Sequence, residues 1–202
     1  QLKQCTISGN TGHRGGGVST RANVTILEST ISGNSVSDAG SGLFVDGAPA
    51  LIYNSTIAFN HSSVSACGIA FFGSGTYSNS LQNTIVANNN YTSGSLNPDC
   101  DVIGPGTSSF QLNGSHNIVM RSASVNLPSD TLADDPLLLP LANNGGPTQT
   151  HAFRDGSPAF GAGQNLTRLT TDQRGKGFAR TVNGATDIGA FEQQVRDVIF
   201  AN

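Results

Sequence analysis

The chain has 202 residues and a formal net charge of −3, and only 11% of its residues are charged. An average soluble domain has about 25% charged residues, so the polarity here comes from small neutral side chains. No basic patch is present, which argues against a nucleic-acid surface. No apolar run approaches the ~18 residues of a membrane span. An apolar fraction of 36%, recurring in register, argues against a disordered chain.

A hexapeptide recurs in the first half of the chain and ends each time in asparagine. Its copies read Cys5-Thr-Ile-Ser-Gly-Asn10, Ser29-Thr-Ile-Ser-Gly-Asn34, Ser55-Thr-Ile-Ala-Phe-Asn60 and Asn83-Thr-Ile-Val-Ala-Asn88. The central isoleucines are 24, 26 and 28 residues apart and lie at Ile7, Ile31, Ile57 and Ile85. A period in this range predicts a solenoid, because a short unit buries its apolar face only by stacking on its neighbours.

Two further strand signals accompany each hexapeptide. A Gly-rich step leads into an apolar strand at Gly15-Gly-Gly-Val18 and Gly40-Ser-Gly-Leu43, and another strand precedes the hexapeptide at Val24-Thr-Ile26. In Thr-Ile-Ser the isoleucine points inward, because successive side chains of a strand alternate. Residues 1–127 are therefore predicted to form an all-β fold, a right-handed parallel β-helix solenoid, with about three short strands per coil of ~25 residues.

The asparagines that end the hexapeptide occupy equivalent corners of the predicted coils. They are Asn10, Asn34, Asn60 and Asn88. Stacked at about 4.8 Å per coil, their amides are expected to form a hydrogen-bonded structural ladder. The alternative is that each asparagine only forms its own turn, since this residue tolerates the left-handed region.

The three cysteines are an odd number, so at least one is free or paired outside this chain. A disulfide between Cys67 and Cys100 forms if both lie on the same edge of neighbouring coils. No Cys/His spacing suggests zinc, and no acidic repeat matches a calcium loop. The sequence therefore predicts no metal and no cofactor.

The texture of the sequence changes near residue 128. Four strings interrupt the repeat, and they are Asp134-Asp-Pro-Leu-Leu-Leu-Pro-Leu-Ala-Asn-Asn-Gly-Gly-Pro-Thr-Gln-Thr-His-Ala-Phe153, Gly156-Ser-Pro-Ala-Phe-Gly-Ala-Gly163, Thr171-Asp-Gln-Arg-Gly175 and Asp187-Ile-Gly-Ala-Phe-Glu192. They resemble the C-terminal region of bacterial surface proteins with a choice-of-anchor Q domain, which are often found with a CSLREA-type signature and pectin-lyase-like repeats. The resemblance implies a β-helix, secretion and C-terminal anchoring or processing. It divides the rest of the chain into C-terminal coils (128–193) and a tail strand (194–202).

The densest charged set in this part consists of Asp172, Arg174, Asp187 and Glu192. An arginine between carboxylates forms bidentate pairs, so we expect a salt-bridge lock on the terminal coils. The alternative is a sugar-binding or processing site. His151 lies in the motif that carries the resemblance and is expected to be packed.

The repeats supply no catalytic constellation, and the sequence predicts no catalytic residue. Their charged residues do not recur in register, and Asp99 and Asp101, on either side of Cys100, do not match a calcium repeat. Pectin-lyase-like folds include polysaccharide lyases and hydrolases, but fold alone does not establish an activity.

The sequence favours a non-enzymatic structural or adhesive β-helix protein outside a bacterial cell or on its surface. Its expected partners are further copies of itself or an extracellular polysaccharide, with no nucleic acid and no membrane span. End-to-end assembly into a filament would use raw coil ends and an assembly strand formed by Val195, Val198 and Phe200. The alternatives are a polysaccharide-active or carbohydrate-binding β-helix and a viral fibre module.

Overall fold

A computed structural model describes residues 1–63, 67–73, 75, 77–91, 100–105 and 110–194. Among these residues the secondary structure consists of short parallel strands, without a helix. The chain winds through four sheets in turn and then returns to the first, so each circuit forms one coil of a solenoid.

Each of the first four coils contains four strands. The first coil contains β1 (Leu2–Lys3), β2 (Thr6–Ser8), β3 (Thr11–Gly12) and β4 (Val18–Thr20). The second contains β5 (Val24–Leu27), β6 (Thr30–Ser32), β7 (Ser35–Val36) and β8 (Leu43–Asp46). The third contains β9 (Ala50–Tyr53), β10 (Thr56–Ala58), β11 (His61–Ser62) and β12 (Cys67–Phe72). The fourth contains β13 (Ser78–Gln82), β14 (Ile85–Ala87), β15 (Asn90–Tyr91) and β16 (Cys100–Ile103), and the last strands are β17 (Gln111–Asn113), β18 (Ile118–Val119) and β19 (Ser122–Ala123).

The strands stack into four parallel sheets that run the length of the solenoid. Sheet A contains β1, β5, β9, β13 and β17, and sheet B contains β2, β6, β10, β14 and β18. Sheet C contains β3, β7, β11 and β15, and sheet D contains β4, β8, β12, β16 and β19. The all-β parallel solenoid predicted from the repeat is confirmed. The structure adds sheet C, whose two-residue strands are too short to show an alternating pattern in the sequence.

The core lies inside the coils. It is built from side chains that point inward from the strands and stack in columns from coil to coil. In sheet B, the inward column consists of Ile7, Ile31, Ile57, Val86 and Val119, which are partners in the strand register. These residues pack with inward side chains of sheets A and D in a single apolar cluster. The stacked units thus share one core, as expected for a solenoid.

The register of the fourth coil differs from the sequence alignment by one residue. Thr56 pairs with Ile85 and Ile57 pairs with Val86, so the fourth hexapeptide runs from Thr84 to Asn89. The Thr-Ile match at residues 84 and 85 was misleading because Ile85 faces outward. Its apolar side chain is tolerated there because the C-terminal part of the chain covers it.

The corner between sheets B and C carries a continuous ladder of side-chain amides. The Nδ2 groups donate to the next Oδ1 along the stack, from Asn10 to Asn34 (3.0 Å), Asn34 to Asn60 (2.9 Å), Asn60 to Asn89 (2.9 Å) and Asn89 to Asp101 (2.8 Å). Each of these Oδ1 atoms also accepts a hydrogen bond from the backbone N–H of the preceding member. The rungs between asparagines therefore join successive coils through both side chain and backbone, and the last rung ends on the Asp101 carboxyl of the fourth coil.

Asn88 is a wrong assignment for the fourth ladder position. Because of the one-residue shift, Asn89 takes this position and Asn88 occupies the preceding corner with a φ of +58°. Asn88 thus makes its own turn, which is the alternative that the sequence left open for the whole set.

The ladder should contribute strongly to stability at Asn60, which lies in its middle. Its Oδ1 accepts two hydrogen bonds from Asn34, and its Nδ2 donates to Asn89 and to the carbonyl of Ile31 (3.0 Å). Asn60→Ala leaves these buried groups unpaired, so we expect a loss of about 3 kcal/mol in the free energy of unfolding. Urea titration followed by circular dichroism measures this loss.

Asn88→Ala is the matched control, because it removes an asparagine one residue outside the ladder. It should cost about 1 kcal/mol, the preference of asparagine over alanine for a left-handed corner. If both variants lost the same free energy of unfolding, the hydrogen bonds of the ladder would not account for the effect of Asn60→Ala.

The two cysteines predicted to pair are Cα partners in the register of β12 and β16. Neighbouring strands lie about 4.8 Å apart, within the roughly 4.4–6.8 Å that a disulfide spans between Cα atoms. The side chains of Cys67 and Cys100 lie outside the described residues, so their disulfide stays a prediction. Cys5 is a free, half-buried cysteine whose Sγ lies 3.5 Å from Ser29 Oγ.

Residues 128–194 form what we call the covering segment, and they do not continue as coils. Among the described residues, one parallel bridge joins the segment to the solenoid, between Leu132 and Ile118, and the other bridges are antiparallel and lie within the segment. The C-terminal coils expected for 128–193 are therefore replaced by an irregular chain laid across the outside of sheet B. Apart from Gln194, the predicted tail strand (194–202) lies outside the described residues.

Candidate functional site

The covering segment packs against the outer face of sheet B, and we call this contact the seam. Ile85 and Ile118 point outward there and form an apolar cluster with Phe153, Ala159 and Ile188 of the segment. This cluster is separate from the core inside the coils. Sheet B is thus buried on both faces, which explains apolar residues at positions where alternation would place polar ones.

Outward threonines of sheet B provide hydrogen bonds across the seam. Gln173 accepts from Thr30 Oγ1 at its Oε1 (2.6 Å) and donates from its Nε2 to Thr6 Oγ1 (3.0 Å). The backbone N–H of Ala190 donates to Thr56 Oγ1 (3.1 Å). The same threonine of three consecutive hexapeptides therefore binds the covering segment.

A second column of residues lies at the corner between sheets A and B. All its members have a positive φ and precede the hexapeptide by one residue, and they are Gln4, Glu28, Asn54, Asn83 and His116. This corner column contacts the covering segment in every coil. The sequence analysis missed it, although a polar residue precedes each hexapeptide and provides a signal for it.

The predicted salt-bridge lock is centred on Arg174. Its Nη2 donates to Asp172 Oδ2 (2.6 Å), and its Nε lies 3.0 Å from the same oxygen. The guanidinium lies between the rings of Phe178 and Phe191, 4.1 and 4.0 Å from their centroids. Asp172 Oδ2 also accepts from the backbone N–H of Glu192 (2.9 Å), so the ion pair joins two distant parts of the segment.

The other two members of the predicted set lie around a second arginine that the prediction did not include. Arg180 is fully buried and contacts Glu192 Oε2 (3.9 Å) and the backbone carbonyl of Asp187. The carboxylate of Asp187 accepts backbone hydrogen bonds from Gly161 (2.7 Å) and Gln193 (2.8 Å). All four predicted residues therefore stabilise the covering segment from inside, in a buried network.

Glu28 of the corner column connects the solenoid to this network of buried charged residues. Its Oε2 lies 3.7 Å from Arg180 Nη1, and its Oε1 accepts from Asn54 Nδ2 (2.9 Å). Burial raises the pKa of the Glu28 carboxyl to about 8, and the opposing attraction of Arg180 is too weak to cancel this effect. The carboxyl thus binds a proton more tightly in the folded protein than in the unfolded chain.

This raised pKa makes stability depend on pH in a defined direction. The folded-state pKa is about 8 against an ordinary value of 4.5, so the contribution of Glu28 is complete below about pH 4.5 and is lost as the pH rises through about 8. Glu28→Gln mimics the protonated form, so we expect its free energy of unfolding to fall less than that of the wild type between pH 5 and 9. Urea titrations at several pH values measure the difference.

Asp46→Asn is the control variant, because Asp46 forms a partly exposed ion pair with Arg21. It should keep the pH dependence of the wild type. A Glu28→Gln variant that also keeps it would contradict the proton binding assigned to Glu28.

The seam also brings a serine and a histidine together. Ser32 Oγ lies 2.8 Å from His151 Nε2, and His151 Nδ1 lies 2.7 Å from the carbonyl oxygen of Leu139. Burial lowers the pKa of His151 and keeps the ring neutral. Both side chains line an open cavity of about 410 Å³, over which the ring of Phe59 lies 5.1 Å from the imidazole.

Three acidic or aromatic side chains that could serve carbohydrate chemistry, Asp101, Phe71 and Phe72, lie in different surroundings. Asp101 is fully buried at the end of the amide ladder, where it accepts from Asn89. Phe71 packs in the core against Phe110, whereas Phe72 is exposed and lies 5.1 Å from the ring of Phe44. In the part of the chain that the structure describes, no group of three His, Cys, Asp or Glu side chains is arranged to hold a metal ion.

The described residues also contain no helix that is long and apolar enough to cross a membrane. The predicted assembly strand of Val195, Val198 and Phe200 lies outside the described residues.

The fold and the seam define a parallel β-solenoid in which the covering segment packs on the outer face of sheet B. No known protein family, no curated protein sequence and no solved structure matches this chain. The resemblance to choice-of-anchor Q proteins therefore rests on the quoted residues alone.

Proposed function

We propose that the coils form a non-enzymatic structural or adhesive module of a bacterial extracellular or cell-surface protein. The observation that carries this proposal is the use of the recurring polar side chains. The asparagines bond to one another between coils, and the threonines of sheet B bond to the covering segment. Recurring groups that bind other parts of the same chain build a scaffold.

The buried charged network supports the same interpretation. Asp172, Arg174, Asp187 and Glu192 carry the resemblance to surface proteins, and all four are buried. Charges buried in ion pairs and backbone hydrogen bonds fix the fold of a covering segment. We therefore favour the structural lock over the sugar-binding or processing site that was the alternative.

The outer face of sheet A is the surface best suited to contact an extracellular polysaccharide. Leu27 and Tyr53 are register partners on this face and are half-buried, and Gln111 and Asn113, on the last strand of the sheet (β17), are exposed. A sheet face with a tyrosine ring and amide side chains suits a sugar chain, because sugars stack on aromatic faces and hydrogen-bond at their edges.

Co-sedimentation with bacterial cell envelopes and with insoluble polysaccharides tests the adhesive role. We expect the chain to bind at least one of these materials and Tyr53→Ala to weaken binding about tenfold, a loss comparable to one stacking contact. Phe72→Ala is the control, because Phe72 is an exposed aromatic residue on sheet D rather than sheet A. Unaltered binding by Tyr53→Ala would exclude this face.

The polysaccharide-active alternative is tested on the same preparation. Cleavage by a lyase leaves an unsaturated sugar, which absorbs in the ultraviolet. We expect no such absorbance when the chain is incubated with polyuronates, and its release would overturn the non-enzymatic role of the coils.

Self-association remains part of the proposal, because copies of a β-solenoid add to one another through unpaired strand edges. Such an edge is a template for another strand. The N–H of Val18 donates to the second coil, so in an alternating strand the N–H of Ser19 points away from that coil. Light scattering over a range of concentrations should show association that Ser19→Pro reduces, and a strictly monomeric wild type would exclude it.

A further inference from the structure

We propose that Ser32 and His151 form a nucleophile and general-base pair for acyl esters, placed in the cavity of the seam. The site adds a local activity at the seam, whereas the exposed surfaces of the coils keep the non-enzymatic structural role, on which this site does not depend. The sequence does not reveal this pair, because the two side chains are 119 positions apart. They meet only when the covering segment lies on sheet B.

The hydrogen-bond roles of the pair follow from its partners. The carbonyl oxygen of Leu139 can only accept, so His151 Nδ1 carries the proton. In the neutral ring Nε2 then has a lone pair, and the Ser32 hydroxyl donates to it across 2.8 Å. A serine that donates to a neutral imidazole held by a third group is the arrangement that activates a hydroxyl for attack.

The cavity has the size and the walls of a small-molecule site. Its volume of about 410 Å³ lies within the roughly 300–1,000 Å³ that is usual for ligand pockets. Apolar side chains of Leu138, Pro140 and Leu141 form its walls, while Arg154 adds a positive charge. We infer that the substrate is an ester with a small aliphatic or aromatic acyl group.

Phe59 is an independent sign that this place is shaped for something other than folding. Its φ is +56°, which is unfavourable for a bulky residue. The equivalent corners of other coils use Gly9, Gly33 and Asn88, which adopt this conformation more easily. The strained phenylalanine nevertheless has 38% of its surface exposed and lines the cavity beside His151. Strain of this kind concentrates at functional sites.

The reaction is an ester hydrolysis in two steps. Ser32 Oγ attacks the acyl carbon and its proton passes to His151 Nε2. The bond to the alcohol breaks, and the alcohol leaves with that proton. Water then attacks the acyl-serine and gives a proton to Nε2, the carboxylic acid leaves, and the proton returns to Ser32 Oγ. The ester and water are the only reactants.

The register provides matched variants for the test. Ser8, Ser32 and Ala58 are partners in consecutive strands of sheet B, so Ser32→Ala introduces the side chain that the next coil already has. Ser8→Ala is the control, because it removes the equivalent serine of the first coil, which is exposed to solvent.

Hydrolysis of p-nitrophenyl butyrate by the full chain is the first measurement, with labelling by a fluorophosphonate followed by mass spectrometry as the second. We expect an adduct on Ser32, and a loss of about a hundredfold in kcat/KM for Ser32→Ala and for His151→Gln, the usual share of general-base catalysis. Ser8→Ala should keep wild-type activity. The rate should fall in acid, when the imidazole becomes protonated.

Phe59→Gly gives a readout that a merely structural pair would not move. It restores the residue found at two equivalent corners, so we expect an unchanged or higher unfolding midpoint together with a raised KM for the ester. Equal ester hydrolysis by wild type and Ser32→Ala, or the absence of an adduct on Ser32 in the wild type, would overturn the proposal. If a variant fails to fold, the adduct on the wild-type chain decides the question.

Discussion

Successive coils of this protein are held in register by a chain of side-chain amides at one corner. Each ladder asparagine accepts from both the side chain and the backbone N–H of the preceding member, so a slip by one residue would break both bonds. The ladder positions are 24, 26 and 29 residues apart. Differences in coil length must therefore be accommodated elsewhere in the coil, while the corner keeps its geometry.

The covering segment depends on this regular stack. Because each coil repeats the last, the outward threonines of sheet B and the corner column form straight rows with a constant spacing of about 4.8 Å. An irregular chain can bind such rows at several points, as Gln173 does with Thr6 and Thr30. Burying Arg180 there has a large desolvation cost, which is offset only when its partners are held in place.

The seam also changes what the sheet can do. An exposed serine on a repetitive strand is chemically inert, but Ser32 is enclosed with a neutral imidazole beside a cavity. Phe59 departs from the small corner residue of its neighbours at the same place. A solenoid scaffold and a local reactive site are compatible, because the histidine binds the serine of a single coil, Ser32.

The sequence by itself determined the solenoid. Stacked coils need a nearly constant length and an inward apolar residue, and both are visible as a repeat in the sequence. It also determined the cross-coil role of Asn10, Asn34 and Asn60, whose copies align without a gap. It misplaced the fourth member at Asn88, since Ile85 matches the motif but faces outward. The outward orientation of Ile85 is favourable only because the covering segment packs on it. The residues near Ile85 in the sequence do not indicate this contact.

The buried seam was decided by tertiary structure alone. The four charged residues of the C-terminal motifs were visible in the sequence, but their partners Arg180 and Glu28 were not, because they are joined through space. The same reason hid Ser32 and His151. A repeat constrains which residues stack on each other. Contacts between the repeat and an irregular segment depend instead on how that segment folds back onto the coils. The local sequence pattern does not indicate this path.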